Sequence, residues 1–525
     1  MHRPVRVPHL LALALTSALA ACPPLDPPDL ATTKLGPIAI GSHLVLGDRN
    51  EPALVILDVD DGQFVGLRRI PLETAPSAIH ALPGNTDQAA TAVVVSAENR
   101  TVELIDVDDA TAPAKKTLRL SAPFEGLALS PDGLRAIAYH PPGTASSVFH
   151  NTDEVALLDL SAAATADDAV VSRTLASLGG APLSVHLSPE VGGRRWAFVL
   201  SEEHVAVVSL DNPDVAERSV PLVSLTSGGA RTPTGVEFAV DAAAQTLWAI
   251  VATREASSIY ALAVSPGTST AVGESDFDVR LSQIPGVGPG GASTLVALSE
   301  GTTSGLFTLT TQPATGLVTL TDVATATGQS LSVQVGVNRI VLFPGPEGAP
   351  QALVWNASTG LSFHVIDLVR MWKGQNRAFK SRATRDRFSG LTPIPGTSRF
   401  IALHADSDRG LSIIDADSDR VTGFGRTGTV SALELSTDLN RLFVLTRLGS
   451  QSYLVSVDLD TLHSEPAPIP DGADGLVILP EVTTVAAVAH RPYGQVALWP
   501  AALTTPDTTT QLLGFLADGL FDRTR

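Results

Sequence analysis

The sequence predicts an all-β fold, a β-propeller of four-stranded antiparallel blades. The first observation is a unit that recurs along the chain, usually every 41 to 53 residues and once after 59. The second is that each unit holds three period-2 strands and room for a fourth, whereas helical periodicity does not persist at length. Four-stranded units of roughly 40 to 50 residues are typical of propeller blades. A β-solenoid would need a shorter repeat.

The elements of a unit are clearest in the third repeat. A first strand at residues 127–129 ends at the turn 130–133, Ser-Pro-Asp-Gly, and a second strand leads to His140. A third strand at 155–160 then alternates toward an aspartate, and a segment such as 115–120, after the second unit, supplies the fourth strand. The pattern therefore predicts the strand order within one blade.

Ten units can be counted along the chain. If two counted units belong to one blade, the blades are fewer than the units, so the pattern is compatible with seven to ten blades. No break in composition separates two halves, so a single ring is favoured over two tandem rings. We expect the strand near residues 38–40 to close the ring, because an open end would expose an apolar face and a strand edge. The third strands lie around Asp58, Asp106, Asp159, Ser209, Ala261, Thr308, Asp367, Asp415, Ser456 and Trp499.

The repeats resemble a known family. Residues 92–107, AVVVSAENRTVELIDV, resemble YVTN-type β-propeller repeats, the kind found in lactonase-like and surface-layer propellers. The resemblance covers nearly all of residues 35–515, but it is strong only in the first three units and around 399–415. Ten units depart from the seven blades usual in that family, and the turn at 130–133 also resembles TolB-like repeats. The resemblance implies the fold and carries over no catalytic residue.

The N-terminus resembles a bacterial lipoprotein signal peptide. A basic start with Arg3 and Arg6 precedes an apolar stretch at 10–15 and small residues up to Cys22, the only cysteine of the 525 residues. The resemblance implies cleavage before Cys22, acylation of its new N-terminus and, because no aspartate directly follows the cysteine, the outer membrane. The apolar run is too short to span a bilayer, so the lipid is the expected anchor. The alternative is a secreted protein with a chance cysteine.

The predicted organisation has four parts, and no disulfide can form within the chain. After cleavage the formal charge changes from −19 to −21, since two arginines leave with the signal peptide. This charge disfavours nucleic acid and broad adhesion to anionic lipid. The parts are a signal peptide (1–21), a Pro-rich tether (22–34), the propeller (35–515) and a C-terminal tail (516–525).

Residues that follow the second strands are the first candidate for a functional face. A propeller brings the loops after its second strands to one common face. The alternative is that small polar residues simply end these strands and satisfy the turn backbone. The register reads Gly47, Ser96, His140, Ser201, Thr253, Ser299, Asn356, His404, Thr446 and His490. The candidate binding face comprises His140, His404, His490, Arg49, Glu98, Arg254 and Arg447.

No metal ion or other cofactor is predicted. The three histidines of the face, like His186 and Glu434 on the innermost strands, lie in units too far apart to share one ion. Carboxylates at alternate positions suit calcium. Arginine, however, occupies position 12 of both candidate loops, and aspartate is also an ordinary turn residue. The calcium alternatives are Asp58, Asp60 and Asp61 in one loop and Asp415, Asp417 and Asp419 in the other.

A basic segment is the second candidate for a binding surface. Seven of the 35 basic residues fall within 18 positions of an acidic chain, with Trp372 and Phe379 among them. Such a segment can bind an acidic partner or lipid headgroups, whereas the alternative is a solvated strand and loop. The basic insert comprises Arg370, Lys373, Arg377, Lys380, Arg382, Arg385 and Arg387.

The predicted function is binding rather than catalysis. The sequence has no Gly-x-Ser-x-Gly, His-Glu-x-x-His or phosphate-binding glycine-rich motif. We therefore expect a lipid-anchored envelope protein that acts as a non-catalytic binding or scaffold propeller for another envelope protein or a cell-surface polymer. The alternative is a lactonase-like or esterase-like hydrolase with an axial site.

Overall fold

A computed structural model describes residues 32–518, so the predicted signal peptide and Cys22 lie outside the described residues. Short segments within that span are also left out. They are 61–62, 84–89, 110–114, 144–150, 162–167, 177–179, 223–231, 255–257, 268–274, 286–290, 301–302, 346–347, 359, 376, 385, 405–409, 419, 424–427, 437–439, 470–472, 480–484, 491–494, 501–509 and 514.

The described residues form short strands and one five-residue helix. The strands of the first half are β1 (Thr32–Ile40), β2 (His43–Asp48), β3 (Ala53–Asp60), β4 (Gln63–Pro71), β5 (Ala78–Ala81), β6 (Thr91–Ser96), β7 (Thr101–Asp106), β8 (Lys115–Arg119), β9 (Gly126–Leu129), β10 (Arg135–Tyr139), β11 (Glu154–Asp159), β12 (Val170–Thr174), β13 (Ser184–Leu187), β14 (Trp196–Ser201), β15 (His204–Ser209), β16 (Arg218–Pro221), β17 (Pro233–Asp241), β18 (Thr246–Thr253), β19 (Ser258–Pro266) and β20 (Phe277–Pro285).

The second half continues in the same way. Its elements are β21 (Ser293–Glu300), β22 (Thr303–Gln312), β23 (Leu317–Asp322), β24 (Gly328–Ser332), β25 (Arg339–Pro344), β26 (Pro350–Trp355), β27 (Ser362–Asp367), α1 (Leu368–Trp372), β28 (Phe379–Ala383), β29 (Phe388–Pro393), β30 (Arg399–His404), β31 (Leu411–Asp415), β32 (Arg420–Gly423), β33 (Thr429–Ser436), β34 (Arg441–Leu448), β35 (Gln451–Asp458), β36 (Ser464–Ile469), β37 (Ala473–Ile478), β38 (Val485–His490), β39 (Gln495–Pro500), β40 (Thr510–Leu513) and β41 (Phe515–Asp518). Within the described residues, no helix is long and apolar enough to cross a membrane.

The strands form one closed ring of sheets, which confirms the predicted β-propeller. Nine sheets each consist of four consecutive antiparallel strands, and one five-stranded sheet combines β1–β4 with β41. We number the sheets in chain order, so that β1–β4 with β41 are sheet one and β37–β40 are sheet ten. The C-terminal β41 runs parallel to β1, with Thr32 opposite Phe515 and Leu35 opposite Asp518. The first and last described strands thus meet in one sheet.

Neighbouring sheets pack through apolar clusters, and these clusters explain the ring. Trp196 of sheet four and Phe277 of sheet five lie in one buried cluster. At the closing seam, Leu44 of sheet one lies in a cluster with Leu498 of sheet ten. The first strands of neighbouring sheets also contact one another, as β9 contacts β13 and β17 contacts β21. Because sheets in a ring are closest near its axis, the first strands are the innermost.

The second strands are buried on both faces, since each sheet lies between two others. All six residues of β2 and of β14 are buried, whereas the outer strand β24 is mostly exposed. These second strands therefore read as nearly continuous apolar runs, and alternation is weaker in them than the predicted period of two. The repeat is also fixed by its turns. A Cβ at Gly133, which has φ 70°, would lie 2.3 Å from the carbonyl oxygen of Pro83 in the preceding sheet's turn.

The strand assignment of the sixth unit is wrong at one position. Thr308 lies on β22, the second strand of sheet six, and the third strand is β23, which ends at Asp322. The residues around Thr308 alternate as those of a third strand do, so the strands of this unit were predicted one strand out of register. The strands also extend from Thr32 to Asp518, three residues beyond the predicted propeller at each end.

Removal of residues 514–525 is expected to destabilise the protein more than shortening an exposed turn. The deletion removes β41, leaves one edge of β1 unpaired and weakens the seam between sheets one and ten. The control replaces the exposed turn 242–245, between β17 and β18, by Asn-Gly. Guanidinium unfolding followed by circular dichroism measures both midpoints. Equal shifts would show that β41 contributes nothing to closure.

Candidate functional site

The connections between strands lie on two opposite faces of the ring. Turns between second and third strands lie on one face with the crossovers to the next sheet, and we call this the crossover face. Turns between first and second strands and between third and fourth strands lie on the other, the hairpin face. The predicted binding residues can therefore form one site only if they lie on the same face.

The two described histidines of the predicted face pack into their own sheets. His140 is only 2% exposed, and its ring lies 4.7 Å from that of Phe124. His404 is half-buried, and its Nε2 lies 2.9 Å from Ser412 Oγ. The side chain of His490 lies outside the described residues. These contacts favour a structural role for His140 and His404 at the ends of the second strands of their sheets.

Four charged members of the predicted face are exposed on the crossover face. Arg49, Glu98, Arg254 and Arg447 lie in sheets one, two, five and nine, so they are spread around the ring. The placement of Ser299 is wrong, because it lies beside the β21–β22 turn and so on the hairpin face. This error follows directly from the shifted strand assignment of sheet six.

The aspartates that end third strands close the turns that follow them. Asp106, Asp159, Asp322, Asp367 and Asp458 each accept a hydrogen bond from a backbone N–H two or three residues further on. This is the Asx-turn geometry that makes aspartate common in turns. The recurrent aspartate of the repeat is thus explained by backbone satisfaction, and Asp322 was missed although it too ends a third strand.

The two calcium alternatives have other partners. Both carboxylate oxygens of Asp58 accept from Arg68, at 2.7 Å each. Asp415 Oδ1 accepts from the backbone N–H groups of Asp417 and Ser418, at 3.0 and 3.1 Å. Desolvation acts to raise the pKa of Asp415, but these bonds and the charge of Arg399 outweigh it, so the pKa is lowered. In the part of the chain that the structure describes, no three His, Cys, Asp or Glu residues form a metal-binding group.

The basic insert is divided between the two faces. Asp367 caps α1 and accepts from Arg370 N at 2.9 Å, and the connection from α1 to β28 carries Lys373 and Arg377 on the hairpin face. Lys380 and Arg382 follow on β28, the outer strand of sheet seven. Arg387 lies on the crossover face, where its Nη1 donates to Ser358 O at 2.6 Å. Arg385 lies outside the described residues. The insert is therefore not one patch.

Four of its cations line a groove on the hairpin face, which we call the basic groove. Its volume is about 890 Å³, within the range of specific ligand sites. Among the described residues of its lining, Asp367 and Asp417 are the carboxylates, and apolar side chains, including those of Val369 and Phe379, lie between the charges. Ser299 of sheet six and Ala416 of sheet eight also contribute, so three sheets build it. Its cations are Arg370, Lys373, Arg377 and Lys380.

A smaller recess adjoins the basic groove. It has a volume of about 540 Å³, shares Gly348 and Asp417 with the groove, and is lined by Arg399 and Asp415. The cations of the groove differ in their surroundings. Arg370 Nε lies 3.2 Å from Asp367 Oδ2, whereas Arg377 is exposed on a backbone with φ 67°. Arginine and lysine in such a setting favour carboxylate or phosphate groups of a ligand.

The innermost strands carry titratable groups of their own. On β13, Ser184 Oγ lies 3.0 Å from His186 Nε2, and burial lowers the pKa of His186. On β17, desolvation by the surrounding protein raises the pKa of Glu237, although its Oε2 accepts from Leu295 N at 2.8 Å. Among the described residues, no carboxylate forms a hydrogen bond with His186, so a Ser–His–carboxylate triad is not assembled there.

These observations place the protein in the class of β-propellers, with a basic groove on one face. No protein-family model matches the chain, and no curated protein matches it. The assignment to this class rests on the closed ring of sheets itself.

Solved structures that are similar to the chain include the dihydro-heme d1 dehydrogenase NirN in complex with DHE, at 14% identity and a TM-score of 0.42, over 75% of this chain and 78% of that chain. The Dos1 propeller is 12% identical with a TM-score of 0.40, over 75% and 94% of the two chains. A putative 6-phosphogluconolactonase from Bacteroides fragilis NCTC 9343 is 12% identical with a TM-score of 0.32, over 74% and 94%.

Proposed function

We propose that this β-propeller is a lipid-anchored protein of the bacterial envelope that binds another envelope protein or a cell-surface polymer without catalysis. The observation that carries the proposal is the basic groove, whose described lining residues include four cations and two carboxylates in a chain of net charge −19. A local excess of positive charge on an acidic protein favours an anionic partner and disfavours other contacts. The groove is thus a selective surface rather than part of a uniformly charged one.

The location is proposed from the N-terminal sequence. The basic start, apolar stretch and small residues before Cys22 support cleavage there and acylation of the cysteine. The repeats resemble YVTN-type propeller repeats, which agrees with a surface or envelope protein. Two acyl signals hold a protein stably at a membrane, whereas one chain binds only marginally. We propose the outer membrane as the site of anchoring.

A second candidate function is hydrolysis of an ester or lactone at an axial site. It is favoured by the Ser184–His186 pair, since a neutral imidazole can accept the hydroxyl proton. Binding is preferred because the described residues supply no carboxylate to orient His186. Turnover of a lactone that disappears on Ser184→Ala would favour the hydrolase instead.

The test is capture of partners by the full-length lipoprotein in its native envelope. We expect crosslinking and quantitative mass spectrometry to identify a stoichiometric partner, and charge reversal of Arg377, Lys380 and Arg382 to remove it. The matched control is Arg218→Glu, because Arg218 is equally an exposed arginine but lies on β16, the outer strand of sheet four, and does not line the groove.

The same samples test the anchor. Cys22→Ser is expected to move the protein from the membrane fraction to the soluble envelope fraction. Retention in the membrane would contradict the lipid anchor, and the absence of any partner in wild type and variant alike would contradict the scaffold function.

A further inference from the structure

We infer that the basic groove binds an acidic peptide segment of a partner protein, with its carboxylates on Arg370, Lys373, Arg377 and Lys380 and its apolar side chains on the surface between them. This inference rests on the proposed function and specifies the ligand class of its groove. It is argued from the distribution of charge, from the apolar lining and from the strand edge beside the groove.

The cations come from three successive elements of the chain. Arg370 lies in α1, Arg377 lies in the connection that follows and Lys380 lies on β28. A phosphate site needs several donors around one group, often at a helix N-terminus, and α1 has only five residues. Cations supplied by three elements can instead pair with negative charges that are spaced along an extended ligand.

The carboxylates of the lining strengthen this argument. Asp367 and Asp417 lie among the cations and would repel a compact polyanion placed over the groove. Arg370 offsets Asp367, because its Nε lies 3.2 Å from Oδ2. An extended peptide can set its carboxylates against the cations and present backbone N–H groups or hydroxyls to Asp417. A phosphate-rich polymer carries a negative charge on every repeat, so it would also place a negative charge beside Asp417.

The lining also offers apolar surface. Phe379 supplies it, since this side chain lies in the lining and is only partly buried, whereas Val365, Val369 and Ala378 of the lining are already buried. Burial of the exposed part of Phe379 against a ligand is favourable at roughly 25 cal/mol per Å² of apolar area. A ligand that combines acidic and apolar side chains uses both parts of the lining, as an acidic peptide does.

The strand edge gives the peptide a way to bind through its backbone. β28 is the last strand of sheet seven, and among the described strands it pairs only with β27. Its other edge therefore presents alternate backbone N–H and C=O groups, to which an extended segment can add as a further strand. Lys380 is exposed on this strand and lines the groove. Main-chain pairing would fix the segment and the charges would select it.

The test uses the full-length lipoprotein in detergent and a fluorescein-labelled pool of twelve-residue peptides in which acidic and apolar positions alternate. We expect saturable binding by fluorescence anisotropy that weakens as salt rises, because exposed charges are screened over about 8 Å at 0.15 M salt. The double variant Arg377→Glu with Lys380→Glu should weaken binding at least about tenfold. Arg218→Glu, at an exposed arginine on the outer strand β16 that does not line the groove, should leave it within about twofold.

Three further arms decide between ligand classes. A pool with Gln in place of the acidic residues should bind at least about tenfold more weakly, since it keeps the apolar and backbone contacts but lacks the charge. Arg377→Gln with Lys380→Gln should show an intermediate loss, which separates missing attraction from added repulsion. Inorganic polyphosphate should compete weakly. Equal binding by the double variant, no saturable binding, or polyphosphate binding that alone depends on Arg377 and Lys380 would overturn the peptide assignment.

The outcome remains separable from that of the proposed function. If crosslinking captures a partner that survives the groove variants, the scaffold function stands and the groove inference fails. If the peptide pool binds as expected but no envelope partner is captured, the groove inference stands and the envelope function fails.

Discussion

Replacement of Arg195 by Met is expected to lower the free energy of unfolding by about 3 kcal/mol, the lower end of the effect of breaking a buried ion pair. The side chain of Arg195 is only 9% exposed. Its Nε donates to Asp132 Oδ2 at 2.6 Å and its Nη1 to Asp211 Oδ1 at 3.1 Å, while Nη2 contacts Glu190. Arg195 directly precedes β14 of sheet four, whereas Asp132 lies in a turn of sheet three, so Arg195 joins two sheets.

The loss is limited because a second arginine remains nearby. Arg135 Nε lies 3.1 Å from Asp211 Oδ1, and its Nη1 lies 2.6 Å from Asp159 Oδ1. Asp211 therefore keeps one cation after the substitution, whereas Asp132 loses its arginine and keeps hydrogen bonds from Ser130 and Leu134 N. We accordingly expect Asp132→Asn to recover part of the stability lost in Arg195→Met.

The stability that the interaction of Asp132 with Arg195 contributes is expected to fall in acid. Desolvation acts to raise the pKa of Asp132, but hydrogen bonds from Ser130, Leu134 N and Arg195 outweigh it, so the folded pKa is lowered. A lowered carboxylate pKa contributes stability above the unfolded pKa and loses it as pH falls through the folded pKa. The difference between wild type and Arg195→Met should therefore be full near neutral pH and shrink in acid.

Guanidinium unfolding at several pH values measures these effects, with Arg254→Met as the control. Arg254 is exposed, and the effect of its substitution should stay within about 0.5 kcal/mol. Arg195→Lys should lose part of the stability, because an ammonium cannot reproduce the fork that reaches three carboxylates. A difference between Arg195→Met and the control of less than about 0.5 kcal/mol would contradict the structural role of this network.

The repeat made the fold predictable, because each unit carries its own strand and turn signals. The turn at 130–133 and the aspartates that end several third strands mark reversals of the chain direction, so the order of strands within a sheet could be predicted without knowing how sheets pack. The error at Thr308 arose where one strand imitates another. β22 alternates apolar and polar residues from Phe307 to Thr310, as a third strand would, and only the pairing with β23 distinguishes it from one.

The site could be predicted only in part. The density of basic residues at 370–387 is visible in the sequence, but β28 carries the chain across the sheet, about 16 Å for five residues, and so separates Arg377 from Arg387. The rest of the groove comes from other sheets, since Ser299 and Asp417 are distant in sequence from the insert. The Arg195 network was missed for the same reason: Asp132 is 63 residues away.

Trp196→Ala is expected to lower the free energy of unfolding by about 3–5 kcal/mol, the cost of removing a large buried aromatic side chain. Trp196 is fully buried, and its ring lies 6.1 Å from that of Phe277 in an edge-to-face arrangement. The cluster around it contains Leu262 and Phe198, so the cavity would open between sheets four and five. Among the described residues, Trp196 Nε1 has no acceptor, so the loss is one of packing.

Trp196→Phe should cost less, because it keeps most of the aromatic volume and sacrifices no hydrogen bond of the ring. The control is Leu281→Ala on β20, where the side chain is 42% exposed and its removal leaves no cavity. Unfolding followed by both circular dichroism and tryptophan fluorescence should remain one transition at a lower midpoint, since loosening one interface of a closed ring strains the others. Two separated transitions would show that sheets four and five unfold independently of the ring, and a cost below about 1 kcal/mol would show that the cluster repacks around the missing ring.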